Sequence, residues 1–242
     1  MLSRDIYEIF TSFQGEGSLV GRRQIFVRFS GCPLNCFYCD TVDARIKNHS
    51  LPDTNAEKVI SEIKALVTPD LHSVSFTGGE PLVSPNLLKK LASSCKKLDL
   101  ACYLETAGID ASIFTEVVDL FDYAAIDLKL PNHRAVLGIN AWKKLYHEEL
   151  ECIRIADRSG LHTIVKIVIV DDTTHHMLAS ICRDIAEYEI DLVLQPLTGS
   201  RKPSIELLFG LSEVAGSYLG KKVMVIPQVH RLYRDGTEKE FR

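Results

Sequence analysis

No stretch of this 242-residue sequence approaches the roughly 18 consecutive apolar residues that a membrane-spanning helix requires, so no membrane partner is expected. A charge excess is lacking too. The 28 lysines and arginines stand against 32 aspartates and glutamates, and a net charge of −4 excludes a general binder of nucleic-acid backbones. There is no Gly/Ser linker, low-complexity tract or internal repeat, so one domain over residues 1–242 is expected. The opening MLSRDIYEIF holds Arg4, Asp5 and Glu8 where a secretory signal needs an unbroken apolar run. The seven cysteines are an odd set with three inside eight residues, which is not a disulfide framework. Cys95, Cys102, Cys152 and Cys182 are scattered through apolar or helical stretches, and the expected compartment is the reducing cytoplasm. What remains, 46% hydrophobic and 25% charged residues, is the composition of an ordinary globular chain.

Apolar, β-branched runs of strand length recur at 25–31, 73–78, 101–108, 124–129, 162–170, 191–197 and 222–227. Amphipathic helical patterns separate them, at 56–67, 86–98, 112–121, 142–160, 176–188 and 205–220. The alternation predicts a parallel sheet covered by helices. Six or so strand–helix units fit an incomplete barrel or an open doubly wound sheet, and periodicity does not choose between them. From Cys32 to about Asn55 no period is visible, and a loop that long in a compact domain is usually functional. RDGTEKEFR (234–242) reads as a solvated, charged tail.

Residues 32–39 read CPLNCFYC, with Cys32, Cys36 and Cys39 spaced C-x3-C-x2-C directly after the strand expected at 25–31. That is the carboxyl edge where α/β folds place their chemistry. Three thiolates on a short loop can hold three irons of a [4Fe–4S] cluster, leaving one iron open to a non-protein ligand. The residues alone leave two other readings open: a zinc site completed by a distant ligand such as His49, or cysteines packed in the core. A second signal is FTGGEPL (76–82), after the next expected strand. Gly78 and Gly79 let backbone approach a ligand closely, and Glu80 offers a carboxylate to an ammonium group. Taken alone, Gly-Gly-Glu-Pro also reads as a turn.

The cysteine spacing, with the aromatic Tyr38 immediately before the last cysteine, and the GGEP segment together resemble the radical S-adenosylmethionine superfamily. The resemblance implies a partial (β/α)6 barrel of mostly parallel strands, with the cluster loop (about 32–55) after the first strand. It also implies a [4Fe–4S] cluster whose open iron chelates S-adenosylmethionine and cleaves it to methionine and a 5′-deoxyadenosyl radical. The implied electron donor is a flavodoxin or ferredoxin. Within the superfamily, IFTSFQGEG (9–17), GRRQIFVRFSGC (21–32), CDT (39–41) and PQVHRLY (227–233) resemble the 7-carboxy-7-deazaguanine synthases. Those lyases make the deazaguanine precursor of queuosine and archaeosine from 6-carboxy-5,6,7,8-tetrahydropterin. Hydrogen abstraction at the pterin C6 starts a ring contraction that ends with loss of ammonia, and S-adenosylmethionine is regenerated.

Residue by residue, the resemblance implies cofactor contacts from Tyr38, Gly78, Gly79 and Glu80, from Asp127 and Lys129, and from Gln195, Pro196, Leu197 and Thr198. It implies substrate contacts from Phe13, Gln14, Gly15, Arg28, Thr77 and His230, and a Mg²⁺ ion held by the Thr41 hydroxyl. Arg28 supplies a planar fork for a carboxylate, and an oxygen donor suits a hard cation. No catalytic side chain beyond the cluster and S-adenosylmethionine is expected, and a homodimer is. One segment departs from the family. Its usual Ser-Pro-Lys is replaced by IDLKLP, which together with LETAG (104–108) resembles enzymes that generate a glycyl radical on a partner protein. Such an activating enzyme is the alternative reading, and a non-catalytic zinc-stabilised binding module is the alternative of another class.

Overall fold

The computed structural model describes residues 5–46 and 55–230. His49, the rest of 47–54, Tyr233 and the tail at 234–242 lie outside the described residues. One sheet of eight strands runs in sequence order. β1 (Ile6–Phe13) lies antiparallel to β2 (Arg23–Phe29). β3 (Ser73–Gly78), β4 (Cys102–Thr106), β5 (Tyr123–Asp127), β6 (His162–Ile169), β7 (Ile190–Pro196) and β8 (Val223–Val225) follow, each parallel to its predecessor. Among the described residues β1 and β8 do not pair, so the barrel is partial and open.

All seven expected strands are present, as β2–β8. The correction lies at the start, where Ile6–Phe13 is a further strand and the cluster loop follows the second strand of the chain. β1 runs from buried Ile6 to half-exposed Phe13 with partly exposed residues between, so no clean period of two marks it in the sequence. The expected helices are α2 (Ala56–Leu66), α3 (Pro85–Lys97), α4 (Ala111–Val117), α5 (Ile139–Arg158), α6 (His175–Ile185) and α7 (Ile205–Leu219). A one-turn helix inside the cluster loop, α1 (Val42–Arg45), precedes them. Four helix starts are fixed by side chains: Asn55, Asp110, Thr174 and Ser204 each accept a backbone N–H three residues on. No helix among the described residues is long and apolar enough to cross a membrane.

The core lies between sheet and helices. Phe76 of β3 is fully buried and meets Phe121 edge-to-face at a centroid distance of 5.8 Å. The parallel strands all end at one edge, so the loops after β2, β3, β4, β5 and β7 converge there. Phe76→Ala should cost about 3–5 kcal/mol through a cavity beneath that edge. Urea unfolding checks this, and a loss below about 1 kcal/mol would contradict the packing described.

Candidate active site and cluster loop

Gly78 ends β3 at φ +115°, and a Cβ there would stand 2.5 Å from the Phe29 amide nitrogen. A Cβ on Gly79 would stand 2.3 Å from the Gly31 carbonyl oxygen. Without those carbons, the end of β3 lies directly on the start of the cluster loop. The N–H groups of Gly79 and Glu80 donate to the carbonyls of Phe29 and Gly31, each at 2.9 Å. From the other side, Gly31 and Cys32 N–H donate to the carbonyls of Ala44 and Arg45 at 2.8 and 2.9 Å. The cluster loop is gripped by backbone on both flanks.

Cys32, Cys36 and Cys39 line the cavity at this edge and are partly exposed, whereas the other four cysteines are buried. Burial pushes the Cys32 thiol up to about 12 and moves Cys36 the same way, so ligation of a metal displaces protons. Among the described residues, the one trio of Cys, His, Asp or Glu with ligand atoms all within 4.8 Å of one another is Glu16, Asp40 and His230. The three sulfurs are therefore spread wider than a single zinc ion needs, since bonds of ~2.3 Å set tetrahedral sulfurs about 3.8 Å apart. Separate irons of a cluster fit the wider set.

Tyr38 is held from behind. His133 Nε2–H donates to the Val168 carbonyl at 2.8 Å, which leaves Nδ1 to accept from Leu130 N–H at 3.0 Å and Tyr38 O–H at 3.1 Å. Burial pulls the His133 imidazole down to about 3, so it stays neutral. Lys129 Nζ lies 5.7 Å above the Tyr38 ring and 3.1 Å from Asp127 Oδ2.

Glu80 is fully buried, and its carboxylate accepts from Thr106 O–H at 2.6 Å, Ala107 N–H at 2.7 Å and Leu82 N–H at 3.0 Å. It braces the turn after β3 against the end of β4. Its roughly four lone-pair sites leave room for one more donor. Of two other buried oxygens on the cavity wall, Gln195 Oε1 has no hydrogen-bond partner, and Asp127 Oδ1 accepts no well-directed bond but faces the Lys166 ammonium at 3.2 Å. These acceptors, the cradle at Gly78–Gly79 and the three cysteines fit a cluster carrying a polar cofactor. Leu197 lines the same wall, but Pro196 and Thr198 do not. Pro196 is the buried end of β7, and strand alternation turns it away from the face that Gln195 presents.

In the same cavity, Gln14 Nε2 donates to Glu105 Oε1 at 2.7 Å and to Gln24 Oε1 at 3.0 Å, and Thr77 O–H donates to Glu105 Oε2 at 2.6 Å. Burial raises the Glu105 carboxyl. Arg28 Nε–H donates to Glu8 at 2.8 Å, and its guanidinium lies 5.3 Å over the Phe10 ring. Of five guanidinium N–H donors this pairing uses one. Phe13 sits half exposed at the rim. Gly15 is required by close approach: its carbonyl accepts Val229 N–H at 2.9 Å, and a Cβ on it would stand 2.7 Å from the His230 Cβ. Gln228 Nε2 then donates to Glu16 at 2.7 Å and to Asp40 at 3.1 Å, with His230 Nε2 3.8 Å from Asp40. Thr41 stands at the N-cap of α1 but makes no capping bond, and its hydroxyl is 3.8 Å from Cys39 Sγ. Glu16, Asp40, Glu105, Lys166 and Gln228 line the cavity without having been anticipated. Four of them sit inside motifs already quoted. Lys166 is marked only by being the one charge in the apolar run TIVKIVIV.

Residues 26–185 match the family model of the radical SAM superfamily. The 7-carboxy-7-deazaguanine synthase of Methanocaldococcus jannaschii is 37% identical over 241 residues, covering 93% of this chain and 98% of the relative. The chain belongs to the radical SAM superfamily and, within it, to the 7-carboxy-7-deazaguanine synthases. The synthase of Geobacter sulfurreducens is 32% identical over 252 residues, 94% of this chain and 96% of that one. Among solved structures, QueE from Escherichia coli superposes with a TM-score of 0.58 at 17% identity, covering 93% of this chain and 94% of that one. A domain of pyruvate-formate lyase-activating enzyme from Bacteroides vulgatus gives 0.53 at 18% identity, covering 63% and 98%. Likeness at such identities concerns the fold alone, so the sequence relatives decide the family. Membership in the deazaguanine synthases makes the junction between the QGEG loop and the PQVH segment the part to test. Gly15→Ala should drive His230 outward and break the Val229 N–H bond, so amide exchange at Val229 should speed up at least tenfold. Unchanged protection would contradict the contact.

Proposed function

We propose that the cavity binds a [4Fe–4S] cluster, S-adenosylmethionine and 6-carboxy-5,6,7,8-tetrahydropterin, and that the enzyme converts the pterin to 7-carboxy-7-deazaguanine with loss of ammonia. The observation that carries the reading is the meeting of two residue sets in one cavity. One is the cysteine loop with Gly78, Gly79 and Glu80; the other is Gln14, Glu16, Arg28, Thr77, Gln228 and His230. The first set alone also suits an activating enzyme. The second surrounds a small polar heterocycle with amide, carboxylate, guanidinium and imidazole groups, which favours a pterin over a partner's backbone.

In this reading Cys32, Cys36 and Cys39 hold the cluster. Tyr38, Gly78, Gly79, Glu80, Asp127, Lys129, Gln195 and Leu197 hold S-adenosylmethionine. When bound, the reduced cluster and S-adenosylmethionine supply a 5′-deoxyadenosyl radical that takes the hydrogen at the pterin C6. The protein's part is placement, because the radical must meet one C–H bond. Arg28 clamps the pterin carboxylate, Gln14 and Glu16 address the ring edge, and Thr77 is fixed for its contact by Glu105. Phe10 and Phe13 wall the pterin from water. Thr41, whose hydroxyl makes no capping bond and lies 3.8 Å from Cys39 Sγ, supplies an oxygen to Mg²⁺, which orients the substrate. A flavodoxin or ferredoxin donor, a cytoplasmic setting, a homodimer and a single domain belong to the same reading.

Replacing Cys32, Cys36 or Cys39 singly by Ala should abolish the charge-transfer absorbance of anaerobically reconstituted protein, whereas Cys95→Ala and Cys182→Ala should keep it. A cluster lost in the latter pair without unfolding would overturn the assignment. Thr41→Ala should lower carboxypterin turnover when Mg²⁺ is limiting and recover partly at high Mg²⁺. Wild-type turnover that survives exhaustive chelation would remove the ion from the account.

A further inference from the structure

Lys166 belongs to neither ligand set, yet it touches both. It lies on β6 in register with Asp127 of β5, and its side chain is 6% exposed. Its ammonium donates to Glu16 Oε2 and stands 3.2 Å from Asp127 Oδ1. Glu16 belongs to the loop after β1, on the pterin wall. Asp127 belongs to the cofactor wall, where its other oxygen pairs with Lys129. Neither carboxylate depends on Lys166 alone, because Gln228 also donates to Glu16. What Lys166 adds is a fixed relation between the two walls. Asp127 Oδ1 accepts no well-directed hydrogen bond although the ammonium is near. A ligand hydroxyl donated to that oxygen would hold Asp127, and through Lys166 also Glu16, in one arrangement, so a second ligand would meet groups already ordered.

We propose that Lys166 is a positioning residue that couples the cofactor and pterin sites, so that each ligand tightens the other through the Asp127–Lys166–Glu16 bridge. The inference rests on the functional reading above. Two ligands linked through one shared group must affect each other by the same factor in either direction.

The test uses reconstituted, unreduced holoenzyme, which binds without turnover. The carboxypterin Kd is measured with and without saturating S-adenosylmethionine, and the S-adenosylmethionine Kd with and without carboxypterin. Wild-type enzyme should show at least about a fivefold tightening, equal in both directions. In Lys166→Met the factor should fall to near one with cluster absorbance retained, and Lys166→Arg should restore part of it. A merely structural lysine would change both affinities and leave their ratio alone. The same factor in wild type and Lys166→Met would overturn the proposal. So would a wild-type factor of one, whatever the folding of the variant. If neither ligand binds the wild-type holoenzyme, the functional reading fails and takes the inference with it. Binding of both without coupling removes only the inference.

Discussion

The backbone contact between residues 29–31 and 78–80 is the constraint on which the mouth of the barrel depends. Two strands side by side leave no space for side chains where their ends cross, and Gly78 and Gly79 remove them. The cluster loop then leaves β2 already fastened to β3 and to α1, before any metal is considered. Three cysteines on an otherwise irregular segment thereby reach one cavity. Placing a side chain at Gly79 would push the loop off the turn that carries Glu80, so cluster and cofactor groups stand or fall together.

Charge is the second organising element. Glu16, Glu80, Glu105, Asp127, Lys129 and Lys166 all line one cavity, where unpaired ions are costly. Each is answered by an opposite charge or by directed N–H and O–H donors. Such pairs are weak evidence for stability, because desolvation offsets much of their attraction. Their value here is position. Lys129 shows it best: buried Glu149 accepts its N–H, Trp142 Nε1–H donates to its carbonyl at 2.7 Å, and its ammonium is left to Asp127 and the Tyr38 ring. Burial holds the Glu149 carboxyl well above its usual range. Helix α5 thus fixes the backbone of IDLK.

Local patterns carried most of the fold. Seven strands and six helices declared themselves through runs of branched apolar residues and amphipathic spacing. β1 did not, because its partly exposed residues blur the alternation that a half-buried strand normally shows. The site was legible where chemistry is packed into adjacent residues, as in CPLNCFYC and GGEP. Glu105 escaped because its importance comes from register: Phe76 pairs with Leu104, so Thr77 meets Glu105 one step on. Lys166 escaped because its partner Glu16 comes from the other end of the chain. Gln195 and Leu197 line the cavity whereas Pro196 does not, since neighbours along a strand face opposite sides.

The reaction proposed for this cavity is a ring contraction of a carboxylated pterin. The direct measurement incubates reconstituted enzyme anaerobically with a reductant, Mg²⁺, S-adenosylmethionine and 6-carboxy-5,6,7,8-tetrahydropterin, then quantifies products by mass and ammonia by assay. 7-Carboxy-7-deazaguanine and ammonia should form in equal amounts, with many turnovers per S-adenosylmethionine consumed. Accumulation of 5′-deoxyadenosine with the pterin unconverted would keep the radical cluster and contradict the substrate.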